Sequence, residues 1–379
     1  MRQAAGLRCL STELPIAANK GGLASLFLWH WQIPCLLALL ALGGCSNLPY
    51  FAQAVAGQIE LGHKQRPVAD VISAPDTPPV LAERLRWAWQ MRDFASTELH
   101  LPDNNSYRQY ADLQRNYVVW NVVATPEFAF TPTTQCFPLA GCLPYQGFFD
   151  KHMAEEHAQQ LRQQGHDVWL YGVSAYSTLG WLDDPLLNTF TRYGEISMAR
   201  LMFHELAHQQ VYVKDDSAFN EAFATAVELE GTQRWIARYG SAQQAKQLQQ
   251  GERSRTLLQP LLDDARRELE RLYAQPLTLD EKRQAKQAYL QRLADNYRQT
   301  KQQQSLAGVY DHWFQPLPNN AYFASLATYH RLVPAFRQLL RQCQQNWPCF
   351  YQQVRQLAAH PKPERDRQLA QLMDSGKTP

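Results

Sequence analysis

The sequence has no excess of either charge: 37 Lys and Arg face 35 Asp and Glu across 379 residues, for a formal net charge of +2. Without a basic surplus there is no electrostatic footprint for a polyanion, so nucleic acid is excluded as the expected partner. Apolar runs long enough to cross a bilayer as a settled helix are missing too. The N-terminal run Leu36-Leu37-Ala38-Leu39-Leu40-Ala41-Leu42 is well short of the roughly 20 residues a span needs. Cysteine is sparse at seven residues, and no histidine lies near the later pairs Cys136/Cys142 and Cys343/Cys349, which argues against a second metal site there. Finally, Ile196 to Val213 contains neither Gly nor Pro, so nothing interrupts a helix in that stretch.

That uninterrupted stretch holds the most informative five residues, His204-Glu205-Leu206-Ala207-His208. Ile196, Ala199, Met202, Phe203, Leu206 and Ala207 recur at helical spacing around them. A helix of 3.6 residues per turn places His204 and His208 on one face, where both imidazoles can ligate one Zn²⁺. The glutamate between them, Glu205, is then in reach of a metal-associated water as general base. The pattern reads as a metallopeptidase site with one zinc per chain; the bland alternative is a buried helix whose histidines are satisfied by neighbours.

A catalytic zinc needs a third protein ligand. A metzincin would place a glycine and a histidine where Val211 and Lys214 stand, so that class is excluded. Downstream, Ser217 to Glu228 has helical periodicity and a cap at Asp216 or Ser217. Glu221, Thr225 and Glu228 share a face of this second helix. Asn220-Glu221-Ala222-Phe223-Ala224 resembles the asparagine-glutamate signature of gluzincin peptidases, whose second helix supplies the third ligand. The resemblance favours Glu221, although Glu228 stands nearer the histidine-to-glutamate interval of thermolysin-like enzymes. If Glu221 binds metal, Glu228 is expected to orient a histidine or to engage a substrate amine.

The N-terminus sets the expected compartment. Arg2, Arg8 and Lys20 precede the Leu36–Leu42 run, and Leu42-Gly43-Gly44-Cys45 resembles a lipobox at the end of a bacterial signal peptide. The resemblance implies cleavage before Cys45, acylation of that cysteine, and attachment to a membrane by lipid. With Ser46 rather than aspartate next, it further implies an outer-membrane lipoprotein facing the periplasm; secretion without lipid is the alternative. In an oxidising periplasm Cys136/Cys142 and Cys343/Cys349, each pair six apart, read as two small-loop disulfides.

Residues 1–44 are thus expected to be signal peptide and 45–80 a lipid-attached tether with part of a first helix. Residues 81–240 are read as the peptidase core, and the chain beyond Cys45 is long enough for a large apolar core. Leu81 to Leu99 reads as helix, Tyr117 to Val123 as strand, Cys136 to Cys142 as a pinned hairpin and Lys151 to Gln164 as helix. Asp167 to Tyr176 reads as a strand and 177–181 as a loop, a candidate substrate rim by β-addition. Residues 241–308 read as a long charged helical hairpin with a capping box at Thr278-Leu279-Asp280-Glu281, a solvated face or a surface for a protein partner. Residues 309–379 read as helices packing on the core, clipped by the second cysteine pair. Asn319, Asn320, Tyr322, Tyr329 and His330 are candidate oxyanion donors or simply a helix start. The expected fold is α+β and predominantly helical: a zincin-like core of small sheet, metal helix and second ligand-bearing helix, with the hairpin inserted.

The lipobox, the cysteine hairpin, Ala175-Tyr176-Ser177-Thr178-Leu179-Gly180-Trp181, the metal helix and Asn220-Glu221-Ala222-Phe223-Ala224 together resemble the predicted zinc aminopeptidase family of proteobacterial lipoproteins, over nearly the whole mature chain. The resemblance implies peptide hydrolysis with zinc held by His204, His208 and Glu221 and with Glu205 moving the proton. An aminopeptidase needs carboxylates for the substrate's α-amine, for which Asp183, Asp184, Glu195 and Glu228 are candidates. Asn220, Thr225 and Tyr176 complete the expected surroundings. An endopeptidase of envelope proteins shares every catalytic residue, and a non-catalytic lipoprotein adaptor with a structural metal is the reading from another class.

Overall fold

A computed structural model describes residues 48–137, 141–175, 177–315 and 317–375, without the side chains of Trp313 and Tyr329. The segment expected to be signal peptide, the lipobox-like residues with Cys45, and Tyr176 lie outside the described residues. The fold is α+β and predominantly helical, as expected. From Gln53 onward the chain forms one compact unit; the first turns of the opening helix, up to Ala52, belong to the unit before it.

Helix α1 (Leu48–His63) opens the described chain, followed by strand β1 (Arg66–Pro67) and helices α2 (Val68–Ser73) and α3 (Pro79–Thr97). The expected tether is therefore largely helical. Its polar residues have partners: Gln53 Oε1 accepts from the Phe149 amide at 2.7 Å, and Glu60 pairs with Lys64 and Arg115. Strands β2 (Gln109–Ala111) and β8 (Leu186–Leu187) join β1 in one small sheet, ordered β1-β2-β8.

The second sheet is antiparallel. Its central strand β3 (Val119–Pro126) pairs with β6 (Gln146–Phe148) on one side and β7 (His166–Val173) on the other. β3 is buried from Asn121 to Thr125, as a central strand covered on both faces, and its pairing with β7 places Asn121 opposite Tyr171 and Val123 opposite Trp169. Helix α4 (Lys151–Gln163) joins β6 to β7 and is capped by Asp150, whose side chain accepts from the Met153 amide. β7 is an edge strand of this sheet. The hairpin β4 (Gln135–Phe137) and β5 (Gly141–Leu143) carries Cys136 opposite Cys142, joined by a disulfide.

After the short helix α5 (Asn188–Thr191), α6 (Glu195–Gln210) and α7 (Ser217–Tyr239) form the antiparallel pair on which everything else packs. Met198, Ala199, Met202, Phe203, Leu206 and Ala207 of α6, and Phe219, Ala222, Phe223, Ala226 and Val227 of α7, are buried in one apolar cluster. The charged hairpin is α8 (Ala242–Tyr273) and α9 (Leu279–Gln303). Both helices begin with complete capping boxes, at Ser241 and at the expected Thr278. Leu258, Leu262, Ala265 and Leu269 of α8 meet Leu290, Leu293 and Tyr297 of α9 in a second cluster, while the outer faces carry the charge. Four helices close the chain: α10 (Asn320–His330), α11 (Val333–Gln342), α12 (Trp347–Ala359) and α13 (Lys362–Ser375). The Cys343–Cys349 disulfide clips α11 to α12. Among the described residues, no helix is long and apolar enough to cross a membrane.

The junction between α6 and α7 is held from outside. Asp216 caps α7 by accepting from the Phe219 amide, and its carboxylate is buried against Arg365 of α13, with Nη2 at 2.6 Å and Nε at 3.1 Å. Replacing Arg365 with Met removes two charge-assisted hydrogen bonds from the buried Asp216 carboxylate and leaves it only the Phe219 amide and Lys362 Nζ, each at 3.3 Å, so we expect a loss of about 2 kcal/mol. Urea unfolding of the variant against the parent measures it, and an unchanged midpoint would refute this account of the junction.

Candidate metal centre

His204 and His208 occur one turn apart on α6, and Glu221 occurs in the second turn of α7. Because α6 and α7 are antiparallel and joined by six residues, these turns face each other. His204 Nε2 lies 3.2 Å from Glu221 Oε2 and 3.2 Å from His208 Nε2; His208 Nε2 lies 3.7 Å from the same carboxylate oxygen. Their ligand atoms all fall within 4.8 Å of one another, and the three residues could hold a metal ion. A tetrahedral zinc with ligands at about 2.0–2.1 Å separates its donors by roughly 3.3 Å, so the spacing fits.

The protonation chemistry supports that fit. His204 Nδ1 lies 3.2 Å from Glu228 Oε2, and an imidazole that donates there presents a bare lone pair at Nε2. The Glu221 oxygen and the two Nε2 atoms are then close enough to share one positive charge, a proton or a cation. Although burial disfavours the charged ring, hydrogen bonds to Glu221 and Glu228 raise His204 well above its ordinary pKa. Burial likewise works against the Glu221 carboxylate, yet the His208 and His204 rings bring it down to about 2.

Glu205 interacts electrostatically with His204, His208 and Glu221 and has no hydrogen-bond partner among the described residues. It is buried, and burial raises its pKa against the pull of the two histidines. Glu228 is held by two partners, His204 and Arg200, whose Nε donates to Oε1 at 2.6 Å. Burial opposes its charge, but Arg200 and His204 lower it to about 2. Arg200 is one turn before His204 on the same helical face, a spacing readable in the sequence but unused there.

The turn that sets the α6–α7 angle is braced from both ends. Asn220 Nδ2 donates to the Val213 carbonyl and its Oδ1 accepts the Val213 amide, both at 2.8 Å. Asp215 Oδ1 accepts the Cys142 amide at 2.7 Å. The hairpin comes so close that a Cβ at Gly141, where φ is +79°, would stand 2.5 Å from that oxygen. The disulfide hairpin is thereby docked on the metal-site turn and carries Tyr145 in with it. Burial raises the Tyr145 phenol, and the charges of Glu221 and Glu205 add to the rise. Its hydroxyl has no hydrogen-bond partner among the described residues. No local signal marked Tyr145; its place depends on docking between distant segments.

Other expected site residues have structural employment. Asp184 is buried and accepts from the Thr178 amide, Ser177 and Gln209, holding the 177–184 loop. Glu195 accepts from Trp235 Nε1 and Gln244. Thr225 is buried inside α7, and Asp183 is exposed. Asn319 caps α10, Asn320 donates to the Glu127 carbonyl, and Tyr322 stacks on Trp169 at 4.5 Å. They form a helix start rather than an oxyanion site.

A family model described as "Putative aminopeptidase" matches residues 49–369. No curated protein and no solved structure gives a significant match.

Two outcomes follow from the shell around His204. Glu228→Gln removes the charged acceptor for Nδ1 and is expected to weaken metal binding about 10- to 100-fold, measured by competition with a chelator; unchanged affinity would refute the orienting role. His330, near Arg255, Glu228 and Arg200, has its pKa lowered from 6.5 to about 4, first by burial and then by Arg255. The folded protein keeps this ring neutral where the unfolded chain protonates it. Its stabilisation is full above about pH 6.5 and drains away as pH falls to about 4. His330→Gln is expected to flatten that part of the stability profile by about 2 kcal/mol, read as urea midpoints across the window; parallel profiles would refute it.

Proposed function

Given that the chain belongs to the family described as putative aminopeptidases, we propose that it is a zinc-dependent peptidase, tethered in the periplasm through a lipid on Cys45. The observation that carries the reading is the convergence of His204 Nε2, His208 Nε2 and Glu221 Oε2 at 3.2–3.7 Å beside a buried, unengaged Glu205. A purely structural site has no need of a base. The arrangement is the zincin-like core, with α6 and α7 as its two ligand-bearing helices.

His204, His208 and Glu221 would hold the zinc, which when bound supplies a Lewis acid and brings a water's pKa towards about 7. Glu205 takes the proton of the attacking water and delivers it to the leaving amine. Its raised pKa suits both halves of that cycle, since the group must release what it accepts. Tyr145 is suited to donate its hydroxyl hydrogen to the carbonyl oxygen as negative charge develops there, because its hydroxyl is unspent among the described residues and it lies near Glu221 and Glu205. As an edge strand, β7 could offer backbone pairing to an extended peptide beyond Val168, whose carbonyl accepts from Asn319 Nδ2, and Tyr171 on that strand lies near Tyr145.

One observation favours internal cleavage as a second reading. Recognition of a terminal α-amine requires an unengaged carboxylate beside the site; of the four expected candidates Asp184, Glu195 and Glu228 are each spent on other groups, and only the exposed Asp183 is left. An envelope endopeptidase shares the whole mechanism. Matched peptides with free and acetylated N-termini separate the two: an aminopeptidase loses the acetylated substrate, an endopeptidase cleaves both.

Metal analysis by mass spectrometry of the chain from Ser46 should find one zinc per chain, lost in His204→Ala and Glu221→Ala; zinc retained in both would overturn the ligand set. Glu205→Gln should keep the metal and lose about 10²- to 10⁴-fold in kcat. Tyr145→Phe should lose about 10²-fold in kcat with metal content and KM little changed. Full activity in either variant removes that residue from the mechanism.

A further inference from the structure

Helix α1 has its amphipathicity inside out. Leu48, Phe51, Val55 and Ile59 are 68%, 47%, 59% and 54% exposed, with Pro49, Ala52 and Ala56 exposed between them. At 100° per residue these seven positions form one continuous face, and every one is apolar. Up to Ile59 the polar residues of the helix lie at its sides and inner face, where Gln53 is taken up by the Phe149 amide; beyond it Glu60 pairs with Lys64 and Arg115, and the exposed His63 ends the helix. Rolling the helix cannot hide the stripe. Gly57 lies so tightly against the Phe149 ring that a Cβ there would be 2.1 Å from its Cγ, and Leu61 is buried one turn further on. An apolar face of this extent, fixed outward, marks a contact surface.

We propose that α1 lies in the interface of a lipid bilayer, sinking Leu48, Phe51, Val55 and Ile59 to the boundary between headgroups and acyl chains. This rests on the reading of Cys45 as lipidated. From Cys45 to Leu48 the chain advances three residues, a reach of at most about 11 Å, so an acylated Cys45 brings the stripe to the membrane whatever else it meets. Leu48 to Ile59 contains no charged residue, which suits the lipid boundary and gives a protein partner no charge to select by. One acyl anchor alone leaves a protein free to swivel; a second, rigid contact fixes which face of the peptidase meets the membrane.

The test is flotation of the chain from Ser46, which keeps every described residue and both apolar clusters, with vesicles of phosphatidylethanolamine and phosphatidylglycerol. The parent should float, insensitive to added salt, and the triple variant Phe51→Glu, Val55→Glu, Ile59→Glu should bind more than about tenfold more weakly with unchanged circular dichroism and melting. A parent that stays with the lipid-free fraction, or a variant that floats equally, overturns the inference. So does light scattering that finds the parent a dimer and the variant a monomer, which assigns the stripe to a second copy. Acylation is read separately, by incorporation of a clickable palmitate analogue into the full chain and its loss in Cys45→Ser. Acylation without flotation overturns the interfacial helix alone; flotation without acylation refutes the lipid anchor alone.

Discussion

Three electron-pair donors held 3.2–3.7 Å apart repel one another unless something positive sits among them. His204, His208 and Glu221 are held in that state by the apolar packing of α6 against α7 on either side of them. Core burial therefore opposes the electrostatics of the site, and a cation resolves the conflict. Around it each supporting group is itself supported. Glu228 orients His204, Arg200 neutralises Glu228, Asn220 and Asp215 brace the turn, and Arg365 secures Asp216 at the start of α7. Such a shell limits the freedom of the donors before any ion arrives, which lowers the entropy lost on binding.

The two disulfides belong to the same logic. Cys136–Cys142 tightens a hairpin whose tip meets the metal-site turn, and so fixes the approach of Tyr145 from a segment with little secondary structure of its own. Cys343–Cys349 fixes α11 to α12, whose Phe336, Phe350 and Tyr351 pack on Phe223 behind Glu221. Neither is needed to create a core; each sharpens the placement of one wall of the site. The charged hairpin of α8 and α9 is a more independent body with its own apolar cluster. Its ion pairs are mostly exposed pairs one turn apart, each worth a few tenths of a kcal/mol.

Local chemistry was legible in the sequence wherever one element contained all that was needed. The spacing of His204, Glu205 and His208 placed them on one helix, Asp216 capped the next, and Thr278 with Glu281 formed the capping box that begins α9. Leu81 to Leu99 and Lys151 to Gln164 were helical within two residues, and Cys136 and Cys142 faced each other in a hairpin. α1 was read as part tether because its apolar residues alternate with glutamines and glycine; its periodicity is that of a helix turned outward, which a burial pattern read from sequence counts as weak.

What stayed hidden depends on the angle between elements rather than on any one of them. Sequence placed Glu221 and Glu228 on the same face of α7, two turns apart, and could not say which faces His204 Nε2 and which its Nδ1; the α6–α7 crossing puts Glu221 on the first and Glu228 on the second. Asp184 and Glu195 looked available for a substrate amine until folding brought Gln209 and Trp235 to them across the chain. Tyr145 reached the site only because a hairpin docks on Asp215. Periodicity and capping are written into short stretches of chain, so the sequence alone determined the helices of the core and the residue types that could hold a metal. Long-range packing fixes directions between stretches, so the tertiary structure alone decided which carboxylates are free to act.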